Sequence, residues 1–180
     1  MTKLLSNLIL VVITAISAQS FADNKTPLMK AAAEGDKKAV QTLLKSKADI
    51  NAQDTEEKKT ALYYAISNEQ KEITKLLIDK GANLENLSEN QESALFMATT
   101  TNNYDLMKTV LKKKKALINT PDIEGTTPLM EAAKYGTKQT LEILLKAGAK
   151  KDLKNKLGST ALDIAKENKN EDAIKALSKK

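Results

Sequence analysis

Two pairs of adjacent carboxylates, Glu56-Glu57 and Glu171-Asp172, are the residues whose types and spacing come nearest to chemistry. Paired acids serve glycosidases as proton donor and as base or nucleophile, but they must face each other across a cleft, and neighbours on one loop or helical turn do not. The first pair therefore reads as solubilising charge, and the second as negative charge complementing the start of a helix. The remaining reactive groups are Lys, Tyr and hydroxyls, because the 180 residues include no His, no Cys and no Arg. Thiolate nucleophiles, imidazole bases, Cys/His metal sites, guanidinium clamps and disulfides are all excluded. No glycine-rich phosphate loop or metal-ligand cluster is present either. The sequence thus predicts no enzyme and no cofactor, and points to recognition.

Any recognising residues must be held by a core. With 41% apolar and 29% charged residues the chain has enough hydrophobicity to fold as one domain. Aromatics make up 3% and Trp is absent, leaving Leu, Ile, Val and Ala as the filling, which suits close-packed helices better than a β-sandwich.

A repeat supplies the organisation. Thr26-Pro27-Leu28, Thr60-Ala61-Leu62, Ser93-Ala94-Leu95, Thr127-Pro128-Leu129 and Thr160-Ala161-Leu162 recur at spacings of 34, 33, 34 and 33 residues, a period that marks a solenoid. Each opens with a hydroxyl able to cap a helix, and two follow it with Pro, whose missing N–H costs nothing there. Ala31, Ala65, Ala98, Ala132 and Ala165 each follow the Leu by three residues, giving the first helix a small face for close stacking. Second helices carry apolar stripes such as Val40, Leu43 and Leu44, or Leu141, Leu144 and Leu145, which only a neighbouring repeat can bury. Between the helices, Gly35, Gly136 and Asn102 are expected to supply a positive φ, with Glu69 and Lys169 strained in the equivalent places.

Thr-Pro-Leu-Met-Glu-Ala-Ala-Lys-Tyr-Gly at 127–136 and Leu-Glu-Ile-Leu-Leu-Lys-Ala-Gly-Ala at 141–149 resemble the ankyrin repeat, and the five in-phase copies extend that resemblance over residues 23–180. It implies an all-α solenoid of about five helix-turn-helix repeats, near 23–54, 55–87, 88–121, 122–154 and 155–180, joined by short β-hairpin loops. Met29, Tyr63, Phe96, Met130 and Asp163 stand where the family commonly has His, so a polar link between repeats is expected to be lost, with apolar contact in its place in four of the five copies. The loop Gly appears only as Gly125 and Gly158, which predicts less regular middle hairpins.

In this family the partner is a protein held by loop tips and first-helix ends. Carried over, the tips are Glu56, Glu57 and Lys59, then Glu89, Asn90 and Glu92, then Ile123, Glu124 and Thr126, then Lys156 and Leu157. The helix ends contribute Ser67, Asn68, Thr100, Thr101, Lys134 and Tyr135. Tyr135 is the foremost anchor candidate, because rigid amphipathic rings dominate interface energetics.

Met1 to Ala22 has the form of a secretory signal: Lys3, an apolar run from Leu8 to Ile16, and the small residues of Ser20-Phe21-Ala22 at a cleavage point. The run is shorter than the ~20 residues that cross a bilayer, so cleavage near Ala22 and a periplasmic or extracellular monomer without a membrane anchor are expected. Lys112 to Lys115 end a second helix, where cations complement the dipole, and without Arg the net charge of +6 suits no specific nucleic-acid binding. Two alternatives stand beside the envelope binding module. One is an effector delivered to a host; the other is a weak, salt-sensitive binder of envelope polyanions.

Overall fold

The computed structural model describes residues 24–85 and 87–178. The expected signal segment, 1–22, and the closing Lys179-Lys180 lie outside the described residues. Ten α-helices occur among the described residues, in five antiparallel pairs. They are α1 (Pro27–Glu34) with α2 (Lys37–Lys45), α3 (Ala61–Ser67) with α4 (Lys71–Asp79), α5 (Ala94–Thr100) with α6 (Tyr104–Lys113), α7 (Pro128–Tyr135) with α8 (Lys138–Ala147), and α9 (Ala161–Glu167) with α10 (Glu171–Leu177). A 3-10 turn, Lys115–Asn119, follows α6.

The odd-numbered helices pack side by side in one row, α1 on α3, α3 on α5, α5 on α7 and α7 on α9, and the even-numbered helices back them. Each first helix starts as its residue types dictate. Thr26, Thr60, Ser93, Thr127 and Thr160 sit in extended backbone and accept from the N–H three residues on, at 3.1 to 3.3 Å. Pro27 and Pro128 occupy the first turn, where no donor is needed. Four of the five second helices are capped in the same way, by Asp36, Asn103, Thr137 and Asn170.

The core follows the repeat. Leu28, Leu62, Leu95 and Leu129 are at most 1% exposed, and the five alanines at the stacking position are buried. Each buried Leu contributes about 1.5–3 kcal/mol, and each Ala keeps the row close enough for that burial. Leu162 is only half-buried, since among the described residues no helix pair beyond α9 and α10 covers it.

One expectation needs correction. Gly136 does not adopt positive φ: it is extended at φ −72 and ψ 153. Gly is required there for clearance instead, since a Cβ would lie 2.5 Å from the carbonyl oxygen of Ala132. The other four positions behave as expected, with Gly35 at φ 83, Glu69 at 55, Asn102 at 50 and Lys169 at 55. At the hairpin tips that lack Gly, Lys58 and Gln91 take the left-handed conformation, φ 54 and 59, that Gly125 and Gly158 take at 78 and 79, but the first hairpin closes from Asp54 to Lys59, one residue longer than Asp122 to Thr126 in the third. The left-handed tip costs ~1 kcal/mol for each L-residue there. At the position of the replaced His, three side chains make polar contacts within their own repeat, which leaves the expected loss of an inter-repeat link as it was. The thioethers of Met29 and Met130 accept the N–H of Thr26 and Thr127 at 3.3 and 3.4 Å, and the Asp163 carboxylate accepts from Thr160 N–H at 2.9 Å.

Candidate functional site

Each hairpin is built around a residue that closes its own turn. Asp54 Oδ1 accepts the N–H of Glu57 at 2.9 Å, Asp122 Oδ1 accepts those of Glu124 and Thr126 at 2.9 and 2.8 Å, and Asn155 Oδ1 accepts those of Leu157 and Ser159 at 3.0 and 2.9 Å. Short Asx side chains satisfy nearby backbone donors in this way and fix the turn. In the second hairpin Ser88 does the closing, donating to Glu92 Oε2 at 2.6 Å. The two arms meet through single backbone bonds, such as Asp54 N–H to the Lys59 carbonyl at 3.0 Å, and the one β-bridge among the described residues joins Gln53 to Thr60.

The hairpins are also tied to one another at their tips. Glu89 N–H donates to the Glu57 carbonyl at 2.7 Å, Ile123 N–H to that of Asn90 at 2.8 Å, and Lys156 N–H to that of Glu124 at 3.0 Å. Four hairpins thereby form one continuous rim. The candidate residues on it are successive, with Glu56, Glu57, Glu89, Asn90, Ile123 and Glu124 exposed. Three others are half-buried and engaged within their hairpins. Lys59 pairs with Glu57 and lies 4.8 Å over the Tyr63 ring, Glu92 holds Ser88, and Thr126 donates its N–H to Asp122.

The helix-end candidates lie at the C-terminal ends of α3, α5 and α7. Ser67, Asn68, Thr100, Thr101, Lys134 and Tyr135 are all exposed. Some have a second role in stacking: Asn68 donates to the Ala33 carbonyl of the preceding repeat at 3.0 Å, and Thr100 donates to Phe96 O and to Glu131 at 3.2 and 3.4 Å. Tyr135 keeps 62% of its surface exposed, with the Lys134 ammonium 4.7 Å from its ring centroid.

Electrostatics separate the two sides of the stack. Helices α3 and α5 carry no charged residue, and acids dominate the hairpins beside them, whereas Lys recurs along α2, α4, α6 and α8. The Lys112–Lys115 run is partly neutralised there, by Lys113 with Asp79 at 3.5 Å and Lys114 with Glu85 at 2.8 Å. Beneath the first hairpin Asp54 is buried and receives the Tyr64 hydroxyl at 2.7 Å. Burial opposes its charge, but that bond and the backbone donors of Glu57, Lys59 and Glu56 outweigh it and hold its pKa below the usual carboxylate range. Burial and the same bond push Tyr64 up.

Several residues beside the candidates escaped the sequence reading. Asp122, Met130, Glu131, Asn155, Ile164, Glu167 and Asn168 line one groove together with Glu124, Thr126, Lys134 and Leu157. A signal existed: one repeat period of 33 residues separates Glu131 from Ile164 and Lys134 from Glu167, which places them in register on adjacent helices. Among the described residues no helix is long and apolar enough to cross a membrane, and no cluster of His, Cys, Asp or Glu is arranged to hold a metal.

Comparison with known proteins agrees with this geometry. The family model for ankyrin repeats in three copies matches residues 28–122 and 114–180. Inversin of Homo sapiens is 32% identical over 151 residues, 83% of this chain and 14% of inversin. Phosphocholine transferase AnkX of Legionella pneumophila is 30% identical over 145 residues, 79% of this chain and 15% of AnkX. The chain thus spans about one-seventh of those relatives. Among solved structures, a chain of the complex between the Bd0816 predatory endopeptidase of Bdellovibrio bacteriovorus and the immunity protein Bd3460 superposes with a TM-score of 0.80 and 38% identity, covering 87% of this chain and 81% of that one.

Proposed function

We propose, because this chain belongs to the ankyrin-repeat family of protein-interaction modules, that it is a non-catalytic binding protein acting outside the cytoplasm, with the hairpin rim and first-helix ends as its recognition surface. The observation that carries the reading is the rim itself. Backbone bonds tie its four hairpins into one strip before any partner arrives, so binding loses little conformational entropy. Leu and Ala at the stacking positions are spent on the core, while Glu89, Asn90, Ile123 and Glu124 stand exposed at the tips.

The location rests on the Lys3 charge, the apolar run and the small residues ending at Ala22, together with a Cys-free composition that tolerates an oxidising compartment. The Bdellovibrio complex pairs an endopeptidase with an immunity protein, and its resemblance to this chain supports a narrower form. In that form the partner is an exported peptidase and binding restrains it.

The chain immobilised and exposed to an envelope extract of its own cells should retain a protein with peptidase activity, and saturating amounts of free chain should suppress that activity. Retention of nothing from the envelope, with recovery of unprocessed chain in the cytoplasm, would overturn both the function and the location.

A further inference from the structure

Three large apolar side chains stand exposed among the described residues: Ile123 at 40%, Tyr135 at 62% and Leu157 at 88%. All belong to the fourth and fifth repeats; Leu157 lines a groove of about 470 Å³ between the third and fourth hairpins, α7 and α9, while Ile123 and Tyr135 adjoin its lining residues Asp122, Glu124 and Lys134 along the chain. Met130 and Ile164, both buried, form its apolar floor, and Leu157 stands at its edge. Its walls carry four carboxylates, Asp122, Glu124, Glu131 and Glu167, against the single ammonium of Lys134. That ammonium is turned onto the Tyr135 ring, 4.7 Å from its centroid.

Glu131 defines what the groove lacks. It is half-buried, none of the ion pairs among the described residues includes it, and its hydrogen-bond donor is the Thr100 hydroxyl at 3.4 Å, shared with the Phe96 carbonyl at 3.2 Å. Burial raises its pKa; the Lys134 charge and the Thr100 hydroxyl oppose this without overcoming it, and Asp122 and Glu92 add to it. A cation placed there would gain a charge-assisted bond that the protein itself does not supply.

We propose that this groove receives an arginine or lysine flanked by apolar residues on a loop of the protein partner. Such a side chain lays its aliphatic stem on Met130 and Ile164 and its charged head among the carboxylates, while a flanking apolar group covers Leu157. The assignment rests on the protein-binding reading above and names the chemistry that the partner brings.

A peptide titration followed by methyl NMR tests it, using acetylated and amidated Leu-Arg-Leu as probe and Leu-Glu-Leu as its counterpart. Leu-Arg-Leu should move the methyl signals of Met130, Ile164 and Leu157, and both the acidic peptide and the Glu131→Gln variant should weaken the interaction about tenfold or more. Exposed Leu157→Ser, which leaves the core untouched, should weaken it too. Equal shifts from both peptides, or none in the groove, would overturn the assignment. So would a concentration-dependent dimer abolished by Leu157→Ser, which would make a second copy the occupant. If the immobilised chain retains an envelope protein while Leu-Arg-Leu leaves the groove unmoved, the groove assignment falls and the binding function stands. If the groove takes the peptide but the envelope yields no partner, the groove's chemistry stands and the envelope location falls.

Discussion

The backbone N–H of Ile123 donates to the carbonyl of Asn90 at 2.8 Å, joining the third hairpin to the second. Since these residues belong to different repeats, the bond turns separate loops into one surface. Rigidity is a property of the rim here, inherited from backbone pairing, and side chains on it vary without disturbing the stack. Tyr135→Ala should accordingly change unfolding free energy by no more than about 0.5 kcal/mol, the usual range for exposed sites. Partner affinity should fall about tenfold or more, as for other central aromatic anchors. Unaltered affinity in a titration would remove Tyr135 from the surface.

Leu129 and Leu144 lie in the fourth repeat at 1% and 0% exposure, closed in by helices on both sides. Truncation of either to Ala should cost about 2–5 kcal/mol in urea unfolding, because the cavity cannot collapse between two packed rows. Each repeat contacts only its neighbours, so the transition should also lose cooperativity at that point.

Strained left-handed positions offer the opposite effect. Glu69 and Lys169 are both at φ 55, and Gly at either should stabilise the protein by about 1 kcal/mol. Gly136→Ala should destabilise for another reason, steric conflict with the Ala132 backbone rather than dihedral strain. Thermal unfolding of the three variants separates the two mechanisms by sign.

Asp54 and Tyr64 set the pH dependence. Because the folded pKa of Asp54 is lowered, its contribution is whole above about pH 4 and is lost as pH falls through the folded value. The raised Tyr64 works in the other direction: its contribution is whole below about pH 10 and is lost as pH rises through the higher folded value. Tyr64→Phe removes the donor from a buried carboxylate and should cost about 1.5–3 kcal/mol at neutral pH. The variant's stability should depend less steeply on acid, as followed by unfolding between pH 3 and 7.

Much of this was legible before any coordinates, because the repeat leaves a mark wherever one residue type has one physical job. Leu62 and Ala65 recur since every first helix buries the same two sites, and Thr60 recurs since every first helix needs a cap. Gly136 misled because glycine answers two demands, left-handed backbone and close approach, and the sequence does not say which. Met29 and Met130 were read as apolar replacements only; their thioether acceptors emerge from the distance to the cap N–H. The groove escaped because it is made by two repeats at once, with Glu131 from one and Ile164 from the next, and a repeat read singly shows neither as exceptional.

The central claim is that stacking consumes the periodic Leu and Ala while the hairpin rim does the recognising. Hydrogen–deuterium exchange on the chain with and without its retained partner tests this most directly. Protection on binding should concentrate in residues 54–60, 87–93, 122–127 and 155–160 and at the ends of α3, α5 and α7, with α2, α4, α6 and α8 unchanged. Protection confined to the Lys-bearing even-numbered helices, with the hairpins exchanging as in the free chain, would contradict the account.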